Sequence, residues 1–415
     1  MTSDDPAWGG PSREIDRRMA LAREWDELVE EVRRLPGFED FLRPPSLETL
    51  LPAAADGPVV IVNVSRWRCD ALIVTREGVE LVPLPHLSLD EVVERVGFYL
   101  RTVGHFEDAG KGRDGNSRDA VARELRGLET DLGDVLAWCW DSIAAPVLER
   151  LGLTEAPADG APWPKLWWCP TGPLTLLPLH AAGRHGTDGA AVMDRVISSY
   201  TPTLRALLEA RRPRPDAEVT AGDALLVVAL PDTPGQPSLP NVRREVEMLS
   251  RLGTPVVLEG SAATVAGVGA ALPSHRWVHF SCHGQQHLDD PSRGGLLLYD
   301  GMLTVNDISS RQYRGDLAFL SACKTATGGL NLPDEAITLA AALHYTGYRH
   351  VIATLWSVWD DSAADVTETV YRHIRDGAAL RPERSAHALH EAVRELRRRD
   401  PDRPSVWTPF THTGP

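Results

Sequence analysis

Trp277-Val-His-Phe-Ser-Cys-His-Gly284 and Leu317-Ala-Phe-Leu-Ser-Ala-Cys-Lys324 decide how this chain is read. Each is an apolar run of strand length that ends in a reactive side chain and a small residue. The first delivers His283 beside Gly284, and the second delivers Cys323. The segment between them has room for a hairpin and a return to the same sheet. Side chains alternate along a strand, so His279, Ser281 and His283 share one face while Phe280 and Cys282 share the other. A thiol and an imidazole at the ends of neighbouring parallel strands are the parts of a cysteine hydrolase.

The chemistry follows from the residue types. A thiol has a pKa of about 8.5 and attacks as thiolate. An imidazolium nearby lowers that value and later returns its proton to a leaving amine. Attack on a carbonyl builds an oxyanion that needs backbone N–H donors. Gly284 and Cys323 can offer them, since each sits where a strand opens into a loop. Gly284 also lets a substrate backbone approach closely. A regular strand keeps His279, Cys282 and His283 from converging on one ion, and no second ligand pair has zinc spacing, so neither metal nor cofactor is expected. Ser321-Ala-Cys-Lys324 fits an SxxK pattern. That chemistry needs its Ser and Lys one helical turn apart, whereas this Ser closes an apolar strand and no SDN or KTG partner follows.

Outward from these two runs the pattern is regular. Strands are expected at 224–230, 255–259, 277–281, 317–321 and 350–355. Helices are expected at 241–252, 263–271, 334–346, 361–376 and 385–399, with a hairpin at 294–307. Strands alternating with helices predict an α/β fold, a parallel sheet with helices on both faces. In such sheets ligands bind outside the carboxyl ends of the strands, near the point where strand order reverses. Upstream, the pattern gives a strand at 59–64, a hairpin at 71–82, helices at 88–105 and 118–150, a polar loop at 110–117 and a short strand at 166–169. A Pro- and Gly-bearing break at 212–223 marks a junction. Apolar positions at helical spacing over 12–35 form a leading arm that Pro36-Gly37 ends. The expected organisation is a helical arm (1–56), a supporting half (57–212) and a catalytic half (213–415).

Hydrophobic residues make up 43% of the chain and charged residues 24%, as in soluble globular proteins. No apolar run has bilayer length, and Met1-Thr-Ser-Asp-Asp-Pro6 lacks the regions of a signal peptide, so a cytoplasmic protein with no membrane contact is expected. Five cysteines at irregular spacing point to reduced thiols. The net charge of −15 argues against a nucleic-acid binder.

These motifs resemble the CHAT family of caspase-like proteins, relatives of separase and of clan CD cysteine peptidases. The resemblance runs in order through Trp168-Cys-Pro-Thr-Gly-Pro-Leu-Thr-Leu-Leu-Pro-Leu179, His279–Gly284, Leu320–Ala326, Asp334-Glu-Ala336, Gly347–Asp360 and Trp407-Thr-Pro-Phe410. It covers about residues 57–413. It implies a caspase-like sheet preceded by a supporting α/β half and an N-terminal helical arm. It implies His283 as general base and acid, and Cys323 as nucleophile. In separase-like relatives the segment matching Trp356–Asp361 lines the pocket for the residue before the cut, and an acidic residue there selects a basic side chain. Asp360 is the matching position, and Ser321, Trp356 and Ser357 are counted with it as substrate-binding. The expected function is a cysteine endopeptidase that cleaves a protein substrate after a basic residue, with Arg favoured. Many family members carry long tetratricopeptide arrays for recruitment, and this chain has only the short arm, so a protein activator or recruiter is expected. The alternative is a catalytically silent scaffold with an intact-looking site.

Overall fold

The structure is a computed structural model that describes residues 10–39, 41–110, 118–158, 160–186, 189–214, 225–287, 290–322, 325–326, 338–358, 360–377 and 379–415. Most of the polar loop (111–117), most of the junction (215–223), Cys323, Lys324 and Asp334–Ala336 lie outside the described residues. Residues 1–50 and 51–415 form two compact units. In the first, helix α1 (Gly10–Arg33) buries Val29 and exposes Ile15, Met19, Trp25 and Leu28. It stops ahead of Pro36, and Gly37 takes the left-handed turn that follows, at φ 86°.

The second unit is built on one sheet. Its strands are β1 (Val59–Asn63), β2 (Asp70–Val74), β3 (Val79–Pro83), β4 (Lys165–Pro170), β5 (Ile197–Tyr200) and β6 (Leu225–Ala229). They continue with β7 (Val256–Glu259), β8 (Trp277–Ser281), β9 (Leu317–Ser321), β10 (His350–Thr354) and β11 (Phe410–Thr413). Their order across the sheet is β3-β2-β1-β4-β5-β11-β10-β9-β8-β6-β7. The strands β7-β6-β8-β9-β10 are all parallel, as the alternation of strands and helices predicts. β11 enters antiparallel to β10 and parallel to β5, so the sheet runs unbroken into β4 and β1.

Alternation along the strands sends side chains into two separate cores. Val227, Phe319 and Ile352 pack under helices α4 (Asn241–Ser250), α6 (Asp360–Ile374) and α7 (Ser385–Arg399), together with Val242, Val370 and Val393. Val228, Phe280, Leu320 and Val351 face the other way, against Val268, Ile308 and helix α5 (Leu339–Tyr345). The upstream strands bury Val60, Ile73 and Trp168 against α2 (Leu89–Gly110) and α3 (Arg118–Cys139). The helical run expected at 118–150 is interrupted by a π-helical turn at Trp140–Ala144 before the helix resumes at Ala145–Arg150. Pro146 has no N–H to continue the ladder through that point.

Candidate active site

β8 and β9 lie side by side, with Ser281 opposite Ser321. Strand order reverses between β6 and β8, and in α/β sheets ligands bind outside the carboxyl ends of the strands at such a point. His283 follows β8 at that end, and the loop after β6 brings Pro237 beside it. The His283 ring bonds the Pro237 carbonyl through Nε2 at 2.8 Å. A carbonyl only accepts, so the ring proton sits on Nε2, and Nδ1 of the neutral ring keeps its lone pair. The His283 carbonyl accepts from Leu297 N–H at 2.8 Å. Gly284–Gln285 then pairs with Gly295–Leu297, whose hairpin anchors the residue from behind.

Cys323 stands two residues beyond Ser321, as His283 stands two beyond Ser281. Its own placement is outside the described residues, but its flanks are fixed. The Thr354 hydroxyl, at the end of β10, donates to the Ala322 carbonyl at 2.7 Å. The Thr354 N–H donates to Thr325 Oγ1 at 3.0 Å, and Ala326 N–H donates to the Thr354 carbonyl at 2.8 Å. Ala322, Thr325 and Thr354 are all buried.

Beneath the strand ends is a closed carboxylate hub. Glu245 of α4 is buried and accepts from four side chains. These are the Ser281 hydroxyl, the Ser321 hydroxyl at 2.9 Å, the Thr367 hydroxyl at 3.1 Å and His279 Nε2 at 3.1 Å. Burial pushes its pKa up, but the donors, His279 first, outweigh burial and hold it below the usual carboxylate value. One helix thus ties together the two strands that deliver His283 and Cys323. The Ser321 hydroxyl, expected at the substrate, is turned toward this hub.

The remaining expected site residues lie between β10 and α6. The Trp356 indole is buried edge-on to Tyr99 of α2, with ring centroids 5.8 Å apart. Ser357 is half-buried, and its hydroxyl donates to Glu107 Oε1 at 2.9 Å. Asp360 is the first residue of α6. The Asp361 carboxylate accepts from Asn241 Nδ2 at 2.6 Å.

Cys282 is buried on the Phe280 face of β8, away from Glu245. Burial pushes the thiols of Cys139 and Cys169 up to about 12, so neither is a nucleophile at neutral pH. Among the described residues no three His, Cys, Asp or Glu side chains form a metal-ligand set, and no helix is long and apolar enough to cross a membrane.

Sequence reasoning missed Pro237, Glu245 and Thr354. Pro237 acts through its carbonyl, which leaves no side-chain signal. Glu245 did leave one, because it shares a helix face with Val242 and Leu249, and a carboxylate on an apolar stripe needs donors.

The sequence profile of the CHAT domain matches residues 133–415. A comparison with curated proteins found no match. Among solved structures, two crystal structures of the Saccharomyces cerevisiae separase–securin complex are similar. The one at 2.6 Å resolution aligns with a TM-score of 0.60 at 10% identity, over 89% of this chain and 31% of that chain. The one at 3.0 Å aligns with a TM-score of 0.62 at 10% identity, over 89% of this chain and 30% of that one. At that identity the likeness is one of fold, and this chain spans less than a third of the chain it matches.

Proposed function

This chain belongs to the CHAT domain family, with its caspase-like fold, and from that premise we propose that it is a cysteine endopeptidase cutting a protein substrate after a basic residue, Arg above all. The observation that carries the reading is the His283 ring, held through Nε2 by the Pro237 carbonyl, on a strand registered with the one that leads to Cys323.

In this reading Nδ1 takes the Cys323 proton, and the thiolate attacks the scissile carbonyl carbon. The oxyanion is met by the backbone N–H groups of Gly284 and Cys323. As the tetrahedral intermediate collapses, the C–N bond breaks and His283 returns the proton to the leaving amine. A thioester remains. Water, deprotonated by His283, releases the acid and restores the thiol.

Asp360 is the proposed acid for the substrate Arg, where a carboxylate can take a guanidinium bidentately. Glu107 reaches the same loop at Ser357 and is the rival for that role. The fold likeness to separase, crystallised with securin, supports control by a protein partner. Labelling by an acyloxymethylketone probe, lost in Cys323→Ala and in His283→Ala, tests the dyad. Absence of labelling in the wild-type protein with its cellular partners present would instead favour the silent scaffold. Fluorogenic peptides that vary only the residue before the cut test specificity. Arg and Lys peptides should lead. Asp360→Ala should lower kcat/KM for Arg peptides by roughly 30-fold or more, with little change for Leu peptides. If Glu107→Gln causes that selective loss instead, Glu107 is the reading acid.

A further inference from the structure

A cavity of about 550 Å³ opens at the end of the sheet opposite His283. Arg276 precedes β8 and Arg349 precedes β10, and both line it, so it sits one strand length, roughly 17 Å, from the candidate active site. Arg212, Arg214 and Arg314 complete a lining of five guanidinium groups. Among the described residues, two carboxylates pair with these arginines. Glu209 pairs with Arg212 at 2.9 Å, and Asp316 takes Arg276 at 2.6 Å and Arg214 at 3.7 Å. Among the described residues a surplus of positive charge therefore gathers here, on a chain whose net charge is −15.

The polar groups inside are incompletely matched. Arg349 Nε is buried without a hydrogen-bond partner. His344 is 6% exposed, lines the cavity, and has Nε2 unpartnered. Its Nδ1–H donates to the Tyr348 carbonyl at 3.2 Å, so Nε2 presents a lone pair that asks for a hydroxyl or N–H from outside the fold. Burial pushes the His344 pKa down to about 4 and keeps the ring neutral. Burial, followed by the charge on Arg349, also holds Arg214 below its usual value, as expected where guanidinium groups crowd. Tyr345, half exposed, adds an aromatic wall. Buried donors and acceptors without protein partners are uncommon, and such groups are completed by water or by a ligand; here two of them meet in one arginine-lined cavity.

We propose that this cavity binds a small, multiply charged phosphate compound, its phosphates taken by the arginines and a hydroxyl or amine of the same molecule donated to His344. Guanidinium groups match phosphate oxygens bidentately, and the volume is that of a small-molecule site. The site does not depend on the peptidase reading.

Calorimetric titration of the full chain with ATP and with tripolyphosphate tests it. Both probes should bind at one per chain, more weakly as salt rises. Arg314→Glu, an exposed position, should weaken both by about tenfold or more, whereas Arg398→Glu, outside the cavity, should not. Arg314→Gln is the second variant, read alongside thermal melting so that misfolding is recognised. Tighter binding of ATP identifies the nucleoside as part of the ligand, and equal binding identifies the phosphate chain alone. Either result supports the site. No binding of either probe at millimolar concentration overturns it, as does equal weakening by Arg314→Glu and Arg398→Glu.

Discussion

Replacing Glu245 by alanine strands four donors in a closed interior. Buried donors without acceptors are expensive, and Glu245→Ala should lose about 3 kcal/mol or more in urea unfolding. Glu245→Gln keeps the volume and one acceptor oxygen, so it should fold. Its probe-labelling rate at Cys323 should drop about tenfold, because the ends of β8 and β9 lose their common anchor. A folded Gln variant that labels at the wild-type rate would mean that the hub serves stability alone. The place of His283, just past the end of β8, was legible because an apolar run of strand length leads straight to it. Glu245 was less so, because its meaning depends on Ser281, Ser321, His279 and Thr367, which come from three other elements.

Among the elements, the loop after β6 is the one whose role could not be read from residue types. Its Pro237 carbonyl sets the His283 tautomer. In the neutral form of the His283 ring, imidazole ¹⁵N NMR should find the proton on Nε2 rather than Nδ1. Pro237→Gly, which loosens the loop without removing the carbonyl, should blur that preference and slow turnover several-fold, with a modest fall in melting temperature from the added unfolded-chain entropy. Strands β6, β8, β9 and β10 were legible as apolar runs with both faces buried, and the edge strand β7 as a short apolar run although it is partly exposed. β5 (Ile-Ser-Ser-Tyr) and β11 (Phe-Thr-His-Thr) were not. Their polar residues satisfy one another only after assembly, with the Ser199 hydroxyl 2.8 Å from His412 Nδ1 and the Ser385 hydroxyl 3.1 Å from its Nε2.

At the scale of the whole molecule, that seam makes the protein acid-sensitive. Burial pushes His180 down to about 4 and His412 to about 3, and it drives His390 to about 3 and His344 to about 4. Each is neutral in the folded chain, whereas an unfolded histidine titrates near 6.5. The unfolded state therefore binds more protons below that pH. The stabilisation is fully present above about 6.5 and is lost as pH falls toward the folded values. Each histidine contributes about 1.4 kcal/mol per pH unit in that window. The urea midpoint should fall steeply between pH 6.5 and 5, and His412→Gln should flatten the slope by about one proton. Glu245 acts lower down. Its pKa is depressed, so its contribution is lost only as pH falls below the ordinary glutamate value.

β11 lies in the middle of the sheet, yet its partners β5 and β10 come from distant parts of the chain. Its approach is pinned by Trp407, which is fully buried, and by Ser405, whose N–H donates to Glu129 at 2.9 Å. A sheet whose keystone is a short segment behaves as a two-piece device. Residues 51–403 expressed alone should unfold without cooperativity. A synthetic peptide of residues 404–415, added in trans, should restore a sharp transition at a concentration that reports its affinity. The strand then becomes a handle through which the state of the whole sheet can be assembled or withdrawn on demand, like a key removed from a lock.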